Sequence, residues 1–179
     1  MQKERKNILR IVLLILIIIF CITIFYFSNQ VADESSKRSG RIVNFIAQIV
    51  PKIKNMQEPE KTIFMQETLT TIVRKTAHFS IYAMLGILSM NYMATYKEKS
   101  LYKNALIAII FCIFYATTDE IHQYFIPGRS CELRDVCIDT VGSLTGIVIT
   151  YAIYYYYKRR KNKWQETKKI KIERKWIYF

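Results

Sequence analysis

Residues 118–146 read TDEIHQYFIPGRSCELRDVCIDTVGSLTG and join two strongly apolar runs. Asp119, Glu120, His122, Gln123, Arg129, Arg134, Asp135 and Asp139 all fall within this stretch. Ionisable groups this close to membrane-type segments are costly to hold, so they mark a functional site by default. The stretch also sets the architecture. Pro127-Gly128 stops one helix as a turn, and a second helix begins beyond it. The pattern implies an all-α integral membrane protein that holds this cluster at one face of a bilayer.

The flanking runs supply the spans. Residues 104–118, NALIAIIFCIFYATT, read as the third, and residues 136–157 as the fourth. Gly142 and Gly146, four apart in the fourth, permit close helix approach. Residues 76–94, TAHFSIYAMLGILSMNYMA, read as the second, with His78 near its first end. Residues 11–27, IVLLILIIIFCITIFYF, carry no charge. With Ile8 and Leu9 they are long enough to cross at about 1.5 Å per residue. A basic start before an apolar run also suits a signal peptide. This run exceeds a usual signal core, and Ser28-Asn29-Gln30-Val31 offers no small-x-small cleavage site, so a retained first span is expected. Four transmembrane helices result.

Between the first two spans, residues 28–73 are polar and mixed in charge. Ile42, Ile46, Ile49 and Ile53 recur at helical spacing, and Pro51 should kink or end that helix. Leu69, Ile72 and Val73 extend the second span by a turn or two. Interfacial helices lying on the bilayer are the simpler reading of this loop, and a lid over a site the sharper one.

The whole chain has 179 residues, 51% of them hydrophobic, and a formal charge of +13. A soluble domain of this length is feasible, but the apolar residues sit in blocks between charged stretches, which is the membrane pattern. Cys21 and Cys112 fall in apolar runs and read as small buried residues. Cys131 and Cys137, six apart, can pair only if their face is oxidising. No zinc-type cysteine spacing occurs. The tail, residues 158–179, holds ten lysines and arginines against two glutamates, with Trp164, Trp176, Tyr178 and Phe179 among them. Beside a membrane span, anionic lipid headgroups are a more economical partner for it than nucleic acid. The expected organisation is a four-span membrane domain over residues 1–157 and a polybasic cytoplasmic tail over 158–179.

Positive charge orients the spans. Lys3, Arg5, Lys6 and Arg10 precede the first, Lys97, Lys99 and Lys103 lie between the second and third, and the basic tail follows the fourth. With four spans all three groups share one side. That side is then cytoplasmic, with both termini on it, in the cell membrane. Arg74, Lys75 and His78, Asp119 to Gln123, and Asp135 with Asp139 then reach one depth at the outer face.

Residues three or four apart share a helix face. Arg74, His78 and Tyr82 form a stripe on the second span. Asp119, His122 and Gln123 share a face of the third, with Glu120 pointing away, and Asp135 and Asp139 share a face of the fourth. A histidine beside a carboxylate can serve as a general base, which makes His78, Asp119, His122 and Asp135 the candidate catalytic residues. The same four can instead hold a divalent metal, although no ligand spacing is diagnostic and no cofactor is named by the sequence. Arg74, Lys75 and Arg129 can clamp a phosphate or carboxylate. Against these stands plain anchoring, in which helix-end charges pair with one another. Ser80, Ser130 and Cys131 lack any nucleophile-elbow motif.

RKTAHFSIYAMLG (residues 74–86), DEIHQYFIPGRSCELRD (residues 119–135) and DTVGSLTG (residues 139–146) resemble the VanZ-like membrane proteins. FSNQ (residues 27–30) is similar to a short polar motif that the family carries after its first span. The resemblance implies a small multi-span protein. The family is broad and takes its name from a member linked to resistance to the glycopeptide teicoplanin. Carried over by position, its polar residues are Arg74, Lys75, His78, Tyr82, Asp119, Glu120, His122, Gln123, Arg129 and Asp135. Ile81 stands where many members have glutamate, and Asp139 where asparagine is usual. Together with the residues' own chemistry, Arg74, Lys75, Tyr82, Glu120, Gln123, Arg129 and Asp139 become the substrate-binding candidates.

Two functions follow from different premises. One is an outward-facing site at headgroup depth that binds or modifies an anionic, lipid-linked envelope precursor. The other is a non-enzymatic assembly or partner protein whose outer charges serve helix packing. A transporter fits less well, because spans one, three and four carry no acid or base near their middles.

Overall fold

Long apolar runs without interior proline become helices in lipid, because a helix satisfies its backbone groups within itself. The computed structural model describes residues 2–30, 32–96, 100–129 and 131–177, with side chains described except at residues 2, 32–38 and 169–177. Lys97, Lys99, Ser130, Tyr178 and Phe179 lie outside these residues, as does the side chain of Trp176. The elements are α1 (Gln2–Ser28), α2 (Ala32–Ile49), α3 (Pro51–Lys54), α4 (Glu60–Ile63), a π-helical segment (Phe64–Leu69), α5 (Thr70–Ala94), α6 (Leu101–Tyr124) and α7 (Leu133–Ile177). The described residues contain no strand.

Among the described residues, three helices are long and apolar enough to cross a bilayer, over Lys3–Ser28, Leu101–Tyr124 and Leu133–Lys168. Ile11, Ile15, Ile18 and Ile22 of α1 and Ile110 and Phe114 of α6 face outward, as side chains solvated by lipid do. α5 is not among the three. It carries Arg74, Lys75, His78, Ser89 and Asn91, yet it is the helix against which α7, α6, α1 and α2 all pack. Its Tyr82, Leu85 and Met90 form the core with Ile24 of α1, Cys112 and Ala116 of α6, and Ile147 of α7.

Glycine brings α5 and α7 into backbone contact. A Cβ at Gly86 would overlap the Ser143 carbonyl, one at Gly142 the Phe79 carbonyl, and one at Gly146 the Ala83 carbonyl. The four-residue glycine spacing in α7 is therefore a packing seam. α7 then runs unbroken past residue 157.

In the first loop, α2 ends at Ile49 and Pro51 opens α3. Proline lacks the N–H that a continuing helix needs. Val43, Ala47, Ile53 and Leu69 make a small second core, while Ile42, Phe45 and Ile49 point outward. The isoleucine stripe read from spacing thus divides between two surfaces. Far from the loop, Arg10 at the start of α1 donates to the Thr95 carbonyl and hydroxyl (3.1 and 3.0 Å) at the end of α5. Its guanidinium lies 4.2 Å from the Tyr96 ring centroid. A cation there also suits the negative end of the α5 dipole.

Candidate functional site

Four helix ends meet opposite the Arg10 end. α6 places Asp119 and Gln123 one turn apart, and Gln123 Nε2 donates to Asp119 Oδ2 at 3.1 Å. Ser28, the last residue of α1, donates its hydroxyl to the same oxygen at 2.9 Å. The loop after α6 turns at Gly128, whose φ of 77° is a region that glycine enters without steric cost. That turn brings Arg129 back over the end of α1. Arg129 donates Nε to the Gln30 carbonyl (2.9 Å) and Nη1 to Gln123 Oε1 (2.8 Å). Arg129, Gln123, Ser28 and Asp119 therefore form one chain of directed bonds across three segments.

The starts of α5 and α7 close the other side. Lys75 pairs with Asp135, and His78 Nδ1 lies 3.7 Å from Asp139 Oδ1. Asp139 is 2% exposed and Asp119 4%. Glu120 accepts the Glu132 backbone N–H at 2.8 Å, which ties α6 to the entry of α7.

Arg74, Lys75, His78, Glu120, Gln123, Arg129, Asp135 and Asp139 line one polar cavity of about 70 Å³. That is room for several waters or a small anionic group. Beside it runs an apolar groove of about 250 Å³ between α1, α2 and α5, walled by Ile24, Phe27, Ile42, Val73, Ala77 and Ile81. Arg74, His78 and Arg129 line both spaces. Arg129 stands in the loop outside the spans. Burial, and after it the Arg74 cation, lower its pKa from the ordinary arginine value, although a guanidinium stays charged at neutral pH all the same.

Of the residues expected from sequence, three sit differently from their reading. Glu120, expected to point away from the Asp119 stripe, is 2% exposed and lines the cavity. His122 stacks on Phe25 of α1 with ring centroids 4.4 Å apart, and it is not among the cavity's walls. Tyr82 is fully buried in the core beneath the cavity. The metal tetrad of His78, His122, Asp119 and Asp135 does not assemble. Instead His78, Asp119 and Asp139 offer ligand atoms within 4.8 Å of one another. Sequence reasoning did not assign roles to Ser28 or Glu132; for Ser28 the FSNQ stretch was the available signal. Cys131 and Cys137 are both free and exposed.

A family model described as VanZ/LLP1 matches residues 12–154, which takes in every one of these site residues. Neither a curated protein nor a solved structure matches the chain.

Proposed function

The chain belongs to the VanZ/LLP1 family, and from that premise we propose that it binds an anionic, lipid-linked envelope molecule. The phosphate-type group would enter the polar cavity and the lipid chain the adjoining groove. The observation that carries this reading is that Arg74, His78 and Arg129 line both spaces. An amphiphile suits that arrangement: two guanidinium cations and an imidazole at the junction, a polar pocket on one side and apolar walls on the other. Arg74 makes no ion pair or hydrogen bond with the described residues, so its charge is available to a ligand.

The reading places four spans in the cell membrane. α1 and α6 both run toward the site end, as Ser28 beside Asp119 requires. The chain must return between them, and α5 is the return, its last turn lying beside Arg10. Shielded by α1, α6 and α7, it needs less apolar surface than they do. α2, with Ile42, Phe45 and Ile49 outward, lies at the interface as a wall of the groove. The basic ends of α1 and α7 face the cytoplasm, where the tail meets anionic headgroups.

The test is retention of a polyprenyl phosphate by the full chain in detergent, read by native mass spectrometry. Polyprenol lacks the anion and inorganic phosphate lacks the chain, and both should bind far more weakly. Arg74→Ala should cost about tenfold in affinity or more, the usual worth of a charge-assisted hydrogen bond. Equal retention of polyprenol, or an unaffected Arg74→Ala, would overturn the reading. It would favour charges that serve only helix packing.

A further inference from the structure

We infer that His78, Asp119 and Asp139 form a binding site for one divalent transition-type cation, Zn²⁺ or Mn²⁺, at the base of the polar cavity. The three ligand atoms, a ring nitrogen and two carboxylate oxygens, lie within 4.8 Å of one another. The separation of 3.7 Å between His78 Nδ1 and Asp139 Oδ1 is near the roughly 3.4 Å between two ligands of a tetrahedral ion with bonds of about 2.1 Å.

A second observation points to a ligand. Asp119 Oδ1 and Asp139 Oδ1 are both buried and neither has a hydrogen bond of ordinary length; the Tyr82 hydroxyl stands near Asp119 and the His78 ring near Asp139. The two side chains are 4% and 2% exposed. Buried carboxylate oxygens are normally satisfied, and two of them turned toward one histidine are what a cation requires. The Tyr82 hydroxyl is a further buried oxygen there, beside Asp119.

The surroundings hold the ligands in that pose. Ser28 and Gln123 both donate to Asp119 Oδ2, which commits that oxygen and leaves Oδ1 turned away from both. Arg129 donates to Gln123 Oε1, which fixes the amide so that its nitrogen faces Asp119. Metal sites depend on such supporting bonds to orient their ligands. The imidazole nitrogen favours zinc over calcium and magnesium, which prefer oxygen alone, and the two carboxylates also suit manganese. His78 and Asp139 also line the cavity, so a bound ion would be reached from it.

The experiment needs no lipid ligand, so its outcome is independent of the binding reading above. Full-length protein is purified in detergent without a histidine tag, loaded with Zn²⁺ or Mn²⁺ and freed of excess metal. Wild type should retain about one equivalent, Asp119→Asn and Asp139→Asn none, and Gln123→Ala should bind about 10- to 100-fold more weakly as a positioning residue. Asp135→Asn, in the same cavity but paired with Lys75, should retain the metal. A misfolded variant would also lose it, so Mn²⁺-loaded wild type is examined by pulsed electron paramagnetic resonance, where one coordinated imidazole nitrogen should appear. No retention by wild type, no nitrogen coupling, retention by either aspartate variant, or loss in Cys131→Ser/Cys137→Ser would each overturn the assignment.

Discussion

Arg129 is the residue on which the site's geometry turns. Its guanidinium reaches the Gln30 carbonyl, the Gln123 amide and, at 3.4 Å, the Phe27 carbonyl. Lysine keeps the charge but cannot present a planar fork to three acceptors. Arg129→Lys should lower stability by about 1–3 kcal/mol, read as an earlier unfolding midpoint in detergent. An unchanged midpoint would mean that the loop is held by other contacts. Helical spacing read some of this level well. It put Asp119 and Gln123 on one face, and they are hydrogen-bonded. It put His122 on that face and turned Glu120 away, a choice that spacing alone does not support. At about 100° per residue, each lies about 80° to one side of the line midway between Asp119 and Gln123. What decides is which helix lies on each side. The side toward α7 receives Glu120, held by the Glu132 N–H. The side toward α1 receives His122, stacked on Phe25. Periodicity on one helix carries no record of its neighbours.

Between elements, the α5–α7 seam is the contact least able to give. A side chain at Gly146 would strike the Ala83 backbone rather than a side chain that can swing aside. Gly146→Val should therefore cost about 3 kcal/mol or more, or prevent accumulation of folded protein. Gly40 in α2 is the contrast, since a Cβ there would meet nothing within 4 Å. Gly40→Ala should raise stability by about 0.5–1 kcal/mol through helix propensity alone. Paired thermal unfolding of the two variants checks both signs, and a destabilised Gly40→Ala would show a further contact on α2. The four-residue spacing of Gly142 and Gly146 was legible in sequence. Gly86 was not, because a lone glycine in a span gains its meaning from the helix across from it. The stripe on α2 was half legible for a related reason. Its apolar residues serve an inner face, with Val43 and Ala47, and an outer one, with Ile42 and Ile49. Spacing alone merges two such faces.

Across the whole molecule, side-chain contacts sort the helix ends into two sets. Arg10 with Thr95 and Asn91 with Tyr154 join the start of α1, the end of α5 and the middle of α7. Ser28 with Asp119 and His78 with Asp139 join the opposite ends. Lysines and arginines concentrate beyond the first set, at Lys3, Arg5, Lys103 and residues 158–161. Lysine and arginine counts in the sequence and the packing of the structure thus divide the chain at the same places by unrelated means. One reads insertion electrostatics and the other reads contacts. If the first set is cytoplasmic, Cys131 lies outside, exposed and free on the loop that carries Arg129. A variant keeping only that cysteine, with Cys21, Cys112 and Cys137 changed to alanine, should react with a membrane-impermeant maleimide in intact cells. A Lys103→Cys variant in a background free of other cysteines should react only after permeabilisation. Reversal of both results would invert the molecule and put its cavity on the cytoplasmic side, where a ligand confined to the outer leaflet could not reach it.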